Sequence, residues 1–141
     1  VMTDASGYAR LSQTPGKHTE YRARDGRTAK ITLLPAPATS PVLVRSRRSA
    51  TLTTSTSSLL LGRSATLSGT AAPSAAGRTA TLQRYSGGAW TTVASKVIGS
   101  TSGYGFAVKP AARGTSTYRV VVSADSLHDA GTSPARTLSV T

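Results

Sequence analysis

Residues 117–124 read Thr-Tyr-Arg-Val-Val-Val-Ser-Ala, and this stretch decides the fold class. Successive side chains of a β-strand point to opposite faces, so Tyr118, Val120 and Val122 share one face of the predicted strand. Arg119 falls on the other face. One apolar face predicts a strand with one buried side, as in an antiparallel sandwich. We therefore expect the three apolar-face residues to be buried and Arg119 to lie outside the core.

Comparable strand patterns lie on both sides of this stretch. In chain order the predicted strands cover residues 50–54, 64–68, 78–84, 89–97, 104–109, 117–124 and 135–141. Turns rich in Gly, Pro and Ser separate them, and no window has the 3.6-residue period of an amphipathic helix. The pattern predicts an all-β antiparallel sandwich. The remaining predicted core residues are Ala65, Leu67, Ala80, Leu82, Phe106, Val108, Leu138 and Val140.

The opening third of the chain repeats landmarks of its closing third. Ser6-Gly7-Tyr8 returns as Ser102-Gly103-Tyr104, Tyr21-Arg22 as Tyr118-Arg119, and Ser40-Pro41 as Ser133-Pro134. The copies lie about 95 residues apart, which is the length of one small β-domain. We therefore predict that residues 1–44 are the last three strands of an incomplete module, that residues 45–49 are a basic linker, and that residues 50–141 are a complete module. Three strands without a covering layer leave an apolar face in water, so the first segment is expected to fold less firmly.

One ordered set of landmarks runs through the complete module: Leu82-Gln83-Arg84, Trp90, Gly103-Tyr104, Gly114, Tyr118-Arg119 and Ser133-Pro134. This order resembles the immunoglobulin-like repeats of secreted and surface proteins from GC-rich Gram-positive bacteria. The resemblance implies an immunoglobulin-like sandwich at an extracellular or cell-surface location, with an export signal upstream of Val1. The chain contains no cysteine, so apolar packing alone is expected to hold the two sheets together.

Two tyrosines have the placement of a tyrosine corner, in which a hydroxyl at the start of strand F donates back to the preceding loop. Tyr118 follows Gly114 in this way, and Tyr21 follows Gly16. Because a buried tyrosine hydroxyl needs a hydrogen-bond partner, this site suits Tyr better than Phe. We predict structural roles for both tyrosines. The other predicted structural residues are Leu82, Phe106 and Val120.

The chain is strongly basic, with 17 Lys and Arg against 5 Asp and Glu and a formal net charge of +12. Such a field attracts polyanions, although an arginine-rich composition also follows from GC-rich codons. The densest basic run contains Arg45, Arg47 and Arg48. These arginines are candidate contacts for a polyanion or a protease-sensitive joint, and a solvated linker is the simplest interpretation.

Tyr85 and Trp90 flank the Ser-Gly-Gly turn at residues 86–88 and form a second candidate contact. An exposed aromatic pair beside a loop suits the flat face of a sugar ring. The alternative is that Trp90 packs over the sheet edge or into the core.

The residue inventory argues against catalysis. His18 and His128 are the two histidines, and Glu20 is the single glutamate. The loop at residues 125–131 combines carboxylates with a histidine, but its spacing fits neither a zinc nor an EF-hand site, so we predict a solvated hairpin loop. We expect no catalytic residues, no metal and no cofactor.

Composition also limits the partners. No apolar run approaches the ~20 residues needed to span a bilayer, so membrane insertion is not expected. Sequence-reading motifs are absent and aromatic residues are few, which argues against a specific nucleic-acid partner. The sequence predicts a non-catalytic spacer or interaction module that contacts neighbouring domains of the same polypeptide. The alternative is an adhesive module that binds an anionic cell-wall polymer or a carbohydrate.

Overall fold

The computed structural model describes residues 12, 16–21 and 42–141 and divides the chain into two compact units, residues 1–46 and 47–141. The described residues form strands and no helix. The strands are β1 (Thr19–Tyr21), β2 (Val42–Val44), β3 (Ser49–Ala50), β4 (Thr53–Thr54), β5 (Ser58–Leu59), β6 (Ala65–Ala72), β7 (Thr79–Ser86), β8 (Ala89–Val97), β9 (Gly103–Val108), β10 (Gly114–Val122), β11 (Gly131–Thr132) and β12 (Arg136–Val140). Within the described ranges, no helix is long and apolar enough to cross a membrane.

The first unit contains one described pair of strands. β1 and β2 pair antiparallel, with Thr19 opposite Val44. Beyond β2, the backbone N–H of Ser46 donates to Nδ1 of His18 at 3.0 Å. The other strand predicted for residues 1–44 and the side chain of Tyr21 lie outside what the structure describes, so those expectations stay predictions.

The second unit, residues 47–141, is called the module below, and it consists of two sheets. One sheet has the order β5-β12-β10-β7-β8, with β11 beside the end of β10. In the other, β6 pairs with β3 and β4 and also with β9. Every pairing is antiparallel except that of β12 with β5. The predicted all-β, immunoglobulin-like antiparallel β-sandwich is therefore confirmed.

The register of β10 places the core where the alternation predicted it. Val120 lies opposite Leu82 of β7, and both side chains are fully buried. Tyr118 and Val122 are buried on the same face, and Arg119 lies on the opposite face of the strand. The rest of the predicted core is also buried: Ala65, Leu67, Ala80, Phe106, Val108, Leu138 and Val140.

The predicted strand at residues 50–54 is two short strands in the structure. β3 and β4 both pair with β6, and Leu52 between them is 1% exposed, in the same inward phase as Ala50. Gly69 of β6 faces the break between β3 and β4, because a Cβ on Gly69 would lie 2.0 Å from the carbonyl oxygen of Thr51. The close approach of Thr51 to β6 therefore requires a residue without a side chain at position 69.

Tyr104 is the tyrosine that holds Thr51 in this position. Its hydroxyl donates to the carbonyl oxygen of Thr51. The prediction that Tyr118 supplies the tyrosine corner is wrong, because the Tyr118 hydroxyl makes no hydrogen bond with any described residue. Tyr118 is structural through its ring, because the residue is only 3% exposed. The hydrogen bond that was predicted for Tyr118 is made instead by Tyr104, which lies on β9 in the opposite sheet.

The β7–β8 hairpin matches its predicted turn closely. Ser86 and Ala89 are Cα partners, so the loop is the two-residue Gly87-Gly88. Both glycines have positive φ, +59° and +82°, as a tight turn matched to the twist of its strands requires. The hairpin makes Tyr85 and Trp90 direct cross-strand neighbours.

Candidate functional site

The aromatic pair lies on the outer face of the larger sheet. The rings of Tyr85 and Trp90 have centroids 5.2 Å apart and planes tilted by 57°, an attractive aromatic geometry. Tyr85 is 48% exposed, whereas Trp90 is partly buried. Tyr85 therefore presents the larger accessible surface of the two.

Arg119 covers the Trp90 ring. Its guanidinium carbon lies 4.2 Å from the ring centroid, within cation–π distance. Its Nε donates to Oε1 of Gln83 at 2.8 Å, which fixes the plane of the guanidinium. Trp90 thus packs on the sheet beneath an arginine, in line with the packing alternative. Whether the pair contacts a ligand stays a prediction.

The basic run does not act as one group. Arg45 and Arg47 are exposed, but Arg48 is only 3% exposed. The backbone N–H of Arg48 donates to the carbonyl oxygen of Asp129 at 3.1 Å, and Ser49 already begins β3. A solvated linker over residues 45–49 is therefore wrong for Arg48 and Ser49, and Arg48 is not available as a polyanion contact. The buried Arg48 side chain has hydrogen-bond partners that the sequence of residues 45–48 does not reveal.

The Arg48 guanidinium joins two loops of the module. One nitrogen donates to the carbonyl oxygens of Pro73 and Ser74 at 2.8 and 2.6 Å. The other donates to the carboxylate of Asp125 and lies 3.4 Å from Nδ1 of His128. This arrangement, called the Arg48 cluster below, satisfies two backbone carbonyls and one carboxylate with a single side chain.

The loop at residues 125–131 is built around the same cluster. Oδ1 of Asp125 accepts the backbone N–H groups of Leu127 and His128 at 2.9 and 2.8 Å. The Leu127 N–H is the largest of the effects that hold the pKa of the Asp125 carboxyl well below its usual value. The His128 ring and Arg48 act in the same direction.

The predicted hairpin loop joins β10 and β11, and Ser126 and Leu127 are exposed, but the prediction of a solvated loop is wrong for His128. His128 is 8% exposed and packs beside Arg48. Among the described residues, no group of three or more His, Cys, Asp or Glu could hold a metal ion.

A cleft opens between the edge strands of the two sheets, β8 and β9. Its volume is about 380 Å³. The cations Arg84 and Lys109 line it, together with Thr91, Thr92 and the ring of Tyr118. Arg84, Thr91 and Tyr118 are direct neighbours across β7, β8 and β10, so the strand register itself assembles this wall.

No protein-family model matches the chain, and no curated protein matches it. Among solved structures, the solution NMR structure of the CARDB domain of a Pyrococcus furiosus protein is similar to this chain. The similarity covers 68% of this chain and 97% of that domain, with 11% sequence identity and a TM-score of 0.44. The fold is therefore established by the strand pairing and core described above.

Sequence reasoning missed both the Arg48 cluster and the cleft, for different reasons. Arg48 joins loops 25 and 77 residues away, and nothing in a dibasic run announces such contacts. Arg84, in contrast, follows Ala80 and Leu82 in the inward phase of β7. That alternation carried the signal, because it places a cation on the core-facing side where the strand leaves the core.

Proposed function

We propose that this chain is a non-catalytic immunoglobulin-like module that serves as a spacer or interaction unit in a secreted or cell-surface multidomain protein. The observation that carries the proposal is the repeat, because each landmark that recurs in the sequence has a structural task in the module. A repeated structural landmark predicts a repeated fold. Tandem sandwiches of this kind extend a polypeptide and hold other domains at a distance.

The three landmarks fall on positions that build the sandwich. Gly103 and Tyr104 begin β9, and the Tyr104 hydroxyl holds Thr51. The hydroxyl of Ser133 accepts the backbone N–H of Val120 at 2.9 Å and donates to the carbonyl oxygen of Pro134. The second landmark, Tyr118-Arg119, supplies a core ring and the cover of Trp90. Their recurrence about 95 residues earlier supports a second sandwich of the same design.

The buried charges of the module support a structural role. Asp125 and His128 are already engaged with Arg48 and with backbone N–H groups of their own loop. A general base needs a lone pair aimed at a substrate, and a nucleophile needs a base within hydrogen-bond distance. The donors and acceptors of the Arg48 cluster are instead engaged with one another and with the backbone of two loops.

The test of the proposal is the shape of a longer piece of the polypeptide. Each sandwich has strands of up to nine residues, about 30 Å long. Small-angle scattering of the chain extended by its upstream sequence should show a maximum dimension that grows by about 30 Å or more per added module. A dimension that stays constant as sequence is added, or upstream sequence without the strand pattern of residues 47–97, would overturn the spacer function.

The second candidate is adhesion to an anionic cell-wall polymer or a carbohydrate. It is favoured by the formal charge of +12 and by the exposed ring of Tyr85. Cosedimentation with purified cell wall across a salt series separates two cases. Pull-down that disappears with salt reflects charge alone, because counterion release is not specific for one polymer. Pull-down that persists at high salt for one defined polymer, and is lost in a folded Trp90→Ala variant, supports adhesion at the aromatic pair.

A further inference from the structure

The acidic residues of the module lie away from the cleft. Asp125 and Asp129, its two acidic residues, follow the C-terminal end of β10, where Arg48 engages Asp125. Arg84 and Lys109 line the cleft together with Tyr118, the central residue of β10. Tyr118 and Val122 are four residues apart, so about 13 Å of strand separates Tyr118 from the end of β10 that the acidic residues follow. The acidic groups are therefore remote from the cleft.

Both cleft cations lack an acidic partner among the described residues. An arginine and a lysine that line one concave surface without a counter-ion raise the local positive potential, and the low-dielectric walls of a cleft strengthen it. Arg84 also presents a planar set of donors suited to a carboxylate or phosphate. The cleft is therefore electrostatically prepared for an anionic group.

Tyr118 adds a neutral donor to the same cleft. Among the described side chains, the one buried nitrogen or oxygen atom without a partner is Nε of Arg48. The Tyr118 hydroxyl has no protein partner, so it must reach solvent, and the surface that Tyr118 lines is the cleft. The hydroxyl that sequence reasoning assigned to a tyrosine corner is free to donate to a ligand.

The lining of the cleft favours a polysaccharide over the other polyanions. Thr91 and Thr92 line the cleft, and the Thr91 hydroxyl, which donates to the carbonyl oxygen of Arg84 at 3.2 Å, can still accept a hydrogen bond from a sugar hydroxyl. The partly exposed rings of Tyr85 and Trp90 lie on the opposite face of the β7–β8 hairpin, so they cannot stack bases that enter the cleft. The concave shape suits a single extended chain and not a flat membrane surface.

We propose that the cleft lined by Arg84, Lys109 and Tyr118 binds an anionic group of an acidic polysaccharide. Arg84 and Lys109 neutralise the carboxylate or phosphate, Tyr118 donates a hydrogen bond to it, and the threonines contact the adjoining sugar. This site goes beyond the spacer function, which requires no ligand. The spacer function stands if the site fails, because the scattering experiment does not depend on binding.

The test measures binding of the full 141-residue chain to immobilised polysaccharides at fixed salt. The probes are polygalacturonate for a carboxylate, phosphomannan for a phosphate, and neutral dextran. We expect binding to one of the two anionic probes and none to dextran. Arg84→Gln combined with Lys109→Gln should weaken that binding by about tenfold or more.

The matched control removes the same charge from elsewhere in the module. Arg47 and Lys96 are exposed and do not line the cleft, so Arg47→Gln combined with Lys96→Gln should weaken binding by less than about threefold. Tyr118→Phe changes no charge and should weaken binding by about three- to tenfold without lowering the midpoint of thermal unfolding.

Three results would overturn the site. The first is an equal loss of binding in the two double variants, which means that total charge alone matters. The second is unchanged binding in a folded Tyr118→Phe variant. The third is binding to single-stranded DNA of matched length as tight as to either anionic polysaccharide, which shows that the cleft does not select a sugar chain.

Discussion

A single hydrogen bond distinguishes the two buried tyrosines of the module, because the hydroxyl of Tyr104 has a protein partner and that of Tyr118 has none among the described residues. Tyr104→Phe removes the donor to the carbonyl oxygen of Thr51, a group that Gly69 and the Tyr104 ring enclose. We expect the variant to lose about 1 kcal/mol of unfolding free energy, because a partly buried hydrogen bond is removed. Tyr118→Phe is the matched control and should change stability by less than about 0.5 kcal/mol. Urea unfolding of the two variants checks this, and equal losses would contradict the assignment.

The same hydroxyl predicts a dependence of stability on alkaline pH. Burial raises the pKa of Tyr104 to about 12 from its usual value of 10.0. A raised pKa means that the folded state favours the protonated hydroxyl. Its contribution is therefore complete below pH 10 and is lost as pH rises toward 12. The stability difference between the wild type and Tyr104→Phe should shrink over that range, and a difference that stays constant to pH 12 would refute the shift.

The roles of single residues were predictable only where they follow from the two-residue period of a strand. Alternation placed Val120, Leu82 and Arg119 on the correct faces because the side-chain period of a strand is two. It could not choose between Tyr104 and Tyr118, since both lie in the inward phase of their strands. The choice depends on Thr51 and Tyr104 lying on either side of β6 in one sheet, and that pairing joins residues 53 positions apart in the chain.

At the scale of elements, strand pairing depends on one close approach at Gly69. A Cβ there would lie 2.0 Å from the Thr51 oxygen, which is backbone and cannot swing away. We expect Gly69→Ala to cost about 3 kcal/mol and to free β3 and β4 from β6 first. Faster hydrogen exchange at the amides of Thr51 and Ser55, which donate to β6, would report that release.

Gly105 supplies the matched control for this variant. It lies on β9 opposite Ser68, and a Cβ there would be 4.0 Å from its nearest neighbour, an ordinary contact. Gly105→Ala should be neutral or slightly stabilising, because alanine is the better residue within a strand by about 0.5–1 kcal/mol. Equal destabilisation by the two substitutions would show that loss of glycine, and not the approach of Thr51, is responsible.

Elements were predicted where turn chemistry marked their ends. Gly87 and Gly88 defined the β7–β8 hairpin, and the pairing in the structure confirms it. The break at Thr51–Leu52 was not predicted, because the close approach of Thr51 to Gly69 involves a different strand. The shift of register between Leu82 and Gln83 was not predicted either, since a bulge adds a residue without changing the composition of the strand.

At the scale of the whole molecule, the boundary between the units decides which arginines belong to the module. The division falls between Ser46 and Arg47, several residues before the predicted start at residue 50. The difference matters because Arg48 holds Pro73, Ser74 and Asp125 together. The sequence of residues 45–48 predicted a linker because the partners of Arg48 lie in loops that are distant in the chain.

Two fragments test this boundary. Residues 47–141 should unfold cooperatively with the stability of the module in the full chain. Residues 50–141 lack Arg48, which removes one donor from the carbonyls of Pro73 and Ser74 and from the Asp125 carboxylate, and should be less stable than residues 47–141. Arg48→Ala in the longer fragment should reproduce most of that loss. If it does not, the missing segment stabilises the module through β3 instead of the guanidinium.

Acid separates the electrostatic part of that loss from the rest. The pKa of Asp125 is lowered in the folded module, so the ionised carboxylate contributes stability above its usual value of 3.8. That contribution is lost as pH falls through the lower folded pKa. The fragment with Arg48 retains this dependence, whereas the fragment without Arg48 has lost part of it, since the guanidinium is one cause of the shift. Chemical unfolding at pH 7 and at pH 2 should therefore show the two stabilities converging in acid. A gap that is as wide at pH 2 as at pH 7 would mean that Arg48 stabilises the module through the carbonyls of Pro73 and Ser74 alone.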